Sequence, residues 1–330
     1  MLPSAETTTP PGSVEAPSPQ GSSTRAPGDR IWGFTLAVLG GTILVVAGLV
    51  VIELFGVSRP LGKTISPLAF LTGQNWDPTT NSFGALPFIY GTVVTSVLSM
   101  VIAVPLSVGM AVFLVEMAPS WLRPIVSFLV ETLAAIPSVV FGLWGLFVLV
   151  PWLRSGVEPF LGKTLGFLPL FQGPPVGLGY LAAGVILAVM TLPTISSVSV
   201  EVLKTVPQPL REAAFGLGAT RWEAIRMAVL PYARKGILGG AILGLGRALG
   251  ETMAVTMVIG NAPDIRASLF APGYTLPAVI ANEFAEATGA VHVAALAGLG
   301  LVLFGLTLVL NALARVLIQA VARGPKRAHA

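Results

Sequence analysis

The sequence lacks cysteine and is poor in charge and histidine. Its 330 residues contain no Cys, two His and 10% charged residues. Without cysteine the chain can form neither disulfides nor thiolate metal sites, and it has no thiol nucleophile. Soluble domains carry about a quarter charged residues, so this composition excludes an ordinary soluble domain. We predict no metal site and no catalytic residue, and we expect His292 to be an ordinary residue at the border of an apolar segment.

Apolar side chains dominate what is present. They make up 54% of the residues, and the mean hydropathy is +0.84. A helix needs about 20 apolar residues to cross a hydrocarbon core of about 30 Å. The sequence therefore predicts an all-α integral membrane protein with six transmembrane helices, at about Ile31–Phe55, Pro87–Val115, Ile125–Leu149, Tyr180–Val200, Ile237–Ile259 and Val293–Ala320. Internal prolines in the second, third and fourth spans predict kinks, at Pro105, Pro137 and Pro193.

The two ends of the chain differ from this apolar region. Residues 1–30 are rich in Pro, Ser, Thr and Gly without an apolar periodicity, which predicts a disordered tail rather than a cleavable signal. A short tail follows at 323–330, leaving 31–322 as the membrane domain. Most Lys and Arg fall in the loops that lie inside if the N-terminus is inside, which predicts that both termini are cytoplasmic.

This orientation leaves three outer loops that are rich in Pro, Gly, Asn and aromatic residues. We expect them to be ordered and to form a docking face, at about 56–86, 150–179 and 260–292. Gly-Lys-Thr occurs at 62–64 and at 162–164, but the preceding Gly56 and Gly156 are one residue too distant for a phosphate-binding P-loop. We therefore expect no nucleotide or other cofactor in this chain.

The long inner connection, about 201–236, predicts two short helices. Pro207 and Pro209 end the fourth span, and a helix can follow over Leu210–Phe215. Gly216 and Gly218 permit a turn with positive φ.

A second helix is predicted at Arg221–Leu230, ending before Pro231. Thr220 and Glu223 have the spacing of a capping box at its start. Its apolar face is expected to comprise Trp222, Ile225, Ala228 and Val229. Such a basic pair of helices suits either a groove on a soluble partner or an anionic lipid surface.

The predicted fifth span is rich in glycine. Gly236, Gly240 and Gly244 recur at four-residue spacing, which lets another helix approach closely. That neighbour can be another helix of this chain or a second membrane subunit.

The same span contains two charged residues. Placing an arginine such as Arg247 near the bilayer centre costs about 2.5–3.5 kcal/mol or more, which indicates a function. Glu251 lies four residues on and would share its helix face, so a self-neutralising pair is the structural alternative. A guanidinium in a dry site suits a tetrahedral oxyanion. Glu131 in the third span is a candidate buried partner of Arg247 or Arg234.

The inner connection resembles the EAA loop of ABC-importer permeases. The matching residues are Glu212-Ala213-Ala214, Gly218 and Leu230-Pro231, and Ala228 stands where the family usually has Ile. The resemblance implies a type I (MetI-like) six-helix bundle whose EAA loop docks into separate ATPase subunits, which bind ATP and Mg²⁺.

A narrower resemblance covers about residues 31–322. The segments around Arg247 and Glu251, together with 135–145, 268–274 and 281–285, are similar to the PstC-type permease family of the phosphate-specific ABC importer. This implies that Arg247 and Glu251 serve phosphate passage in the bacterial or archaeal cytoplasmic membrane. It also implies three kinds of partner: a PstA-type second permease, two PstB-type ATPase subunits and a periplasmic or lipid-anchored PstS-type phosphate-binding protein.

Three alternatives remain open at this point. The arginine chemistry suits sulfate or molybdate as well as phosphate, so an ABC permease for another oxyanion fits the residues equally well. An ion-coupled secondary transporter would lack an EAA loop. A scaffold that reports phosphate supply to a signalling kinase is compatible with transport.

Overall fold

The computed structural model describes residues 27–322 and is largely helical. The predicted tails at 1–26 and 323–330 lie outside the described residues. Residues 27–30 open the first helix, so the expectation of disorder is wrong for them. The longer helices are α1 Pro27–Thr64, α3 Leu86–Val112, α4 Leu122–Ala135, α8 Tyr180–Lys204, α11 Leu230–Gly250 and α14 Ala290–Ala322.

Shorter elements connect or extend these helices. They are α2 Pro67–Thr72, α5 Ser138–Trp144, α6 Val150–Trp152, α7 Glu158–Leu165, α9 Gln208–Gly216, α10 Arg221–Ala224, α12 Met253–Val258 and α13 Leu276–Glu283. A two-stranded antiparallel hairpin is formed by β1 Trp76–Asp77 and β2 Ser82–Phe83. Turns of π-helix extend or join several helices, at Phe113–Met117, Gly145–Leu149, Leu153–Val157 and Ile225–Val229.

Within the described residues, five helices are long and apolar enough to cross a membrane. They are Trp32–Thr64, Leu86–Met117, Ser138–Leu165, Tyr180–Lys204 and Ala290–Val316. The prediction of an all-α integral membrane protein is confirmed. The third and fifth predicted spans, however, are each interrupted.

The third predicted span breaks at Pro137. Ile136 is extended (φ −67°, ψ 128°), so α4 ends before the proline and α5 begins after it. Proline disfavours helical geometry in the preceding residue and lacks the N–H that a continuous helix requires. The helix that follows runs on through turns of π-helix and α7 to Leu165, well into the predicted second outer loop.

The fifth predicted span breaks at Glu251. Helix α11 ends at Gly250, Glu251 is extended (φ −70°, ψ 126°), and α12 starts at Met253. Glycine is a poor helix former, and the Thr252 hydroxyl donates to the Gly250 carbonyl at 3.3 Å. The helix end therefore leaves its last carbonyls to side-chain and solvent partners.

The described chain divides into two units within α1, between Val50 and Val51. In the first unit, residues 32–50 of α1 expose large apolar side chains, including Trp32, Phe34 and Leu44. This exposure suits a helix surrounded by lipid or by another membrane subunit.

Helix α8 is the central element of the second unit. It is the most buried of the membrane-crossing helices and packs along α3 and α11. Gly184 allows close approach to α3, because a Cβ there would lie 2.4 Å from Leu98. Ser107 of α3 donates to the carbonyl of Leu192 at 3.1 Å, so a polar contact joins the two helices.

A buried polar cluster joins the first and third predicted outer loops. Glu283 accepts hydrogen bonds from the Trp76 indole (2.8 Å) and contacts His292 Nε2 at 2.9 Å. His292 is 9% exposed and stacks on Phe83. This cluster ties the β-hairpin to α13 and α14, so His292 is a buried structural residue rather than an ordinary interfacial one.

Candidate coupling and transport sites

The inner connection forms the two predicted helical segments. Helix α9 is two residues longer than predicted at its start and one residue longer at its end, and the turn after it depends on Gly218, which has φ +84°. Thr220 accepts from the Glu223 backbone, and Glu223 accepts from the Thr220 backbone at 2.8 Å. The predicted capping box is thus present, and its hydrogen bonds hold the pKa of the Glu223 carboxyl below its usual value.

The second helical segment continues through Pro231, where the sequence predicted an end. The π-turn Ile225–Val229 closes with the Leu230 N–H donating to the Ile225 carbonyl. Pro231 then occupies the second position of α11, where a missing N–H is tolerated. One continuous helical path therefore leads from Arg221 to Gly250.

One face of this segment is anchored in an inner apolar core. Ile225 and Val229 are 3% and 1% exposed and pack with Val112 and Leu203 from the ends of α3 and α8. Of the predicted apolar face, Ile225 and Val229 are therefore buried within the chain, whereas Trp222 is 60% exposed. Ala224 is 2% exposed and lies one turn before the partly buried Ala228 on the same helix face.

An ion pair that sequence reasoning missed fixes α9 to the π-turn Phe113–Met117, which extends α3. The Arg211 guanidinium contacts Glu116 at 2.8 Å, and the side chains are 14% and 13% exposed. Arg211 also donates to the carbonyls of Val206 and Leu203. The two partners are 95 residues apart in the sequence, so no local spacing could predict the pair. The one local indication was a glutamate, Glu116, at the end of an apolar span.

The EAA-type residues remain available to a partner. Glu212, Ala213, Gly218 and Pro231 are exposed, whereas Ala214 and Leu230 are partly buried. A cavity of about 430 Å³ lies beside them, lined by Glu116, Lys204, Gln208, Arg211, Phe215, Arg221 and neighbouring apolar residues. This surface thus combines the exposed carboxylate of Glu212 with a neighbouring cavity whose lining includes Lys204, Arg211 and Arg221.

The glycine row of α11 packs within this chain. A Cβ at Gly236 would lie 2.5 Å from Val202, and one at Gly244 would lie 2.6 Å from Ile195. At Gly240 the corresponding distance to Val198 is 3.1 Å. Of the two predicted neighbours, α8 of the same chain is the one that contacts these glycines.

Arg247 lies on a different face of α11, which is open. Arg247 and Leu243 are exposed, and Gly246 and Gly250 have no neighbour within reach of an added Cβ. The expected shared helix face with Glu251 is wrong, because the helix ends one residue before it. The ion pairs of residues 27–322 do not join Arg247 to Glu251.

Glu131 lies on the exposed surface of α4. It takes part in none of the four ion pairs found in the described part of the chain, so the expected buried pair is absent there. The Gly-Lys-Thr segments lie in the last turn of α1 and within α7, whereas a P-loop precedes its helix.

Comparisons with known proteins agree with this architecture. Residues 103–324 match the family model "Binding-protein-dependent transport system inner membrane component". The chain is 48% identical over 295 residues to the phosphate transport system permease protein PstC of Mesorhizobium japonicum, covering 88% of this chain and 90% of that protein. It is 50% identical over 260 residues to the PstC of Xylella fastidiosa strain 9a5c, covering 78% and 80%.

A solved structure shows the same fold at low sequence identity. It is the bacterial alginate ABC transporter in complex with an alginate pentasaccharide-bound periplasmic protein. The match has a TM-score of 0.59 at 19% identity and covers 89% of this chain and 96% of that chain. The fold is that of an ABC importer permease. The chain belongs to the family of binding-protein-dependent transport system inner membrane components.

Proposed function

We propose that this chain is one of two permease subunits of an ATP-driven importer for inorganic phosphate. The observation that carries the proposal is the continuous helical path from the exposed EAA-type segment to the helix that bears Arg247. Phosphate as the substrate is supported by the likeness to proteins named PstC, at 48–50% identity over most of the chain.

The partners follow from this role. A PstA-type permease covers the open face of α11 around Arg247, and two PstB-type ATPase subunits dock at Glu212–Pro231. A PstS-type binding protein delivers phosphate to the ordered outer loops. ATP and Mg²⁺ belong to the ATPase subunits, so this chain carries out no chemistry on its substrate. The complex resides in the cytoplasmic membrane with both termini of this chain inside.

The mechanism is alternating access. ATP binding closes the ATPase subunits and moves α9, and the Arg211–Glu116 pair carries this motion to α3. The path through the π-turn carries it to α11. Phosphate passes Arg247, whose guanidinium can bind two oxygens in bidentate fashion. The nearby Glu251 keeps binding weak, because an anion that must leave cannot be held tightly.

Reconstitution of the complete complex tests this proposal. Proteoliposomes that contain both permeases, the ATPase subunits and the binding protein should take up phosphate only with ATP inside. Sulfate and molybdate serve as matched substrates. Preferential uptake of sulfate or molybdate would show that phosphate is not the substrate. Uptake without ATP would indicate a secondary transporter.

A further inference from the structure

The outer end of α1 contributes to a cavity that the transport mechanism does not use. The cavity has a volume of about 560 Å³ and lies between α1, α2 and α14. Its walls are almost wholly apolar, with Leu61, Phe70, Leu301 and Val302 among the lining residues. Gly298 also lines it and lets α14 approach closely, because a Cβ there would lie 3.3 Å from both Leu61 and Phe70.

Two cations stand at the rim of this cavity. Arg59 and Lys63 both line it, and they are one helical turn apart on the same face of α1. Arg59 lies over the Phe55 ring at 5.9 Å. Neither residue joins any of the four ion pairs within residues 27–322. These four ion pairs therefore leave the positive charges of Arg59 and Lys63 without a carboxylate partner.

The surroundings indicate that the cavity opens towards lipid. Both α1 and α14 are long and apolar enough to span the membrane. Helix α2 exposes Leu68 (72%) and Leu71 (41%) beside the cavity, as expected of a short helix at the membrane surface. An apolar cavity between spans, with cations where the spans meet the headgroup region, is complementary to an acyl chain joined to a phosphate.

We propose that this cavity binds one phospholipid of the outer leaflet, with its phosphate on Arg59 and Lys63 and an acyl chain against Leu301 and Val302. The bound lipid fills the space between the outer ends of α1 and α14. The site is separate from Arg247 and from the EAA-type segment.

Two variants test the site from different sides. Gly62→Leu places a side chain in the cavity, since Gly62 lines it and has open space around its Cα. Gly56→Leu is the matched control, because Gly56 lies on the same helix with equal open space and does not line the cavity. Arg59→Gln with Lys63→Gln removes the cations, and Arg154→Gln with Lys163→Gln removes the same charge elsewhere on the outer side.

Each variant is purified as the assembled membrane complex, exposed to phosphatidylglycerol or to diacylglycerol, and examined by native mass spectrometry. We expect the unaltered protein and both controls to retain one phosphatidylglycerol per chain, and Gly62→Leu and the Arg59/Lys63 variant to lose it. Equal retention by all variants would overturn the proposal, as would equal loss in the controls. Retention of diacylglycerol as firmly as phosphatidylglycerol would exclude the phosphate contact.

A crosslink distinguishes lipid from a protein occupant. A photoreactive residue at position 301 should form an adduct with the mass of a phospholipid. An adduct with the second permease subunit instead would show that a protein helix fills the cavity, and the lipid proposal would be abandoned.

Discussion

Two arginines of this protein, Arg211 and Arg247, have opposite surroundings. The Arg211 guanidinium binds the Glu116 carboxylate and the backbone carbonyls of Val206 and Leu203, which all belong to this chain. Arg247 is exposed on an open helix face. A buried, paired arginine stabilises an arrangement, whereas an exposed one within a membrane helix is available to a ligand or a second subunit.

Replacing Arg247 should impair transport without impairing folding. We expect Arg247→Gln to reduce phosphate uptake at least tenfold, because the neutral amide loses the charge-assisted contacts to the anion. Arg247→Lys should retain part of the activity, since it keeps the charge but loses bidentate geometry. Uptake into proteoliposomes is the measurement, with complex assembly verified for each variant. Normal uptake by Arg247→Gln would remove this residue from the pathway.

Replacing Arg211 should instead destabilise the protein. Arg211→Met leaves Glu116 partly buried without its counter-charge and removes two hydrogen bonds to carbonyls. Breaking a buried pair costs about 3–5 kcal/mol, and the partial exposure here lowers the expected loss to about 2 kcal/mol. Thermal denaturation of the purified complex measures it. Arg226→Met, at an exposed position of the same segment, should have little effect, and equal losses would contradict the assignment.

At the scale of elements, the turn between α9 and α10 depends on one glycine. Gly218 has φ +84°, which costs a residue with a Cβ about 1–2 kcal/mol. We expect Gly218→Ala to weaken ATPase association through a distorted turn. Gly216→Ala, two residues earlier in α9, should be neutral or slightly stabilising. Copurification of the ATPase with each variant decides between them, and identical behaviour would show that the turn adapts.

The contact between α8 and α11 also rests on glycine. Gly244→Ala would bring a Cβ to 2.6 Å from Ile195, and overpacking of this kind typically costs about 1–3 kcal/mol. Gly239→Ala is the control, since Gly239 has open space. The melting temperature of the purified chain should fall for the first variant only. A fall of equal size in both would indicate a general effect of alanine in α11.

At the scale of the whole molecule, the proposed coupling requires that Glu212 contact another subunit. Glu212 is exposed, and the described part of the chain gives it no ion pair. We expect Glu212→Lys to abolish ATP-driven uptake while the permease itself remains folded. Glu201→Lys, also exposed, alters only a surface pair with Lys204 and should be tolerated. Unchanged ATPase binding and uptake in Glu212→Lys would contradict the docking role.

The sequence predicted what depends on local chemistry. Apolar runs located the first, second, fourth and sixth predicted spans, and the spacing of Thr220 and Glu223 predicted a cap that the structure contains. Gly216 and Gly218 were both expected to permit a turn with positive φ, and Gly218 adopts it whereas Gly216 ends α9. These features follow from residues within one or two turns of each other.

Contacts between distant parts of the chain were not predictable. The Arg211–Glu116 pair depends on how α3 and α8 bring their ends together. The break at Glu251 has no proline to signal it. The π-turn that carries the helix past Pro231 adds one residue to a turn, which no amphipathic pattern reveals. Exposure of Trp222 likewise reflects which face the inner core occupies.

The helical path past Pro231 gives the molecule a lever arm. Arg247 follows Ile225 by 22 residues, which at 1.5 Å per residue is about 33 Å along the axis. If Ile225 is the fulcrum, a tilt of roughly 10° displaces the guanidinium by about 6 Å, more than the length of a helical turn. A small rotation at the proposed ATPase-docking segment would therefore be large enough to move this charge past an anion of the size of phosphate.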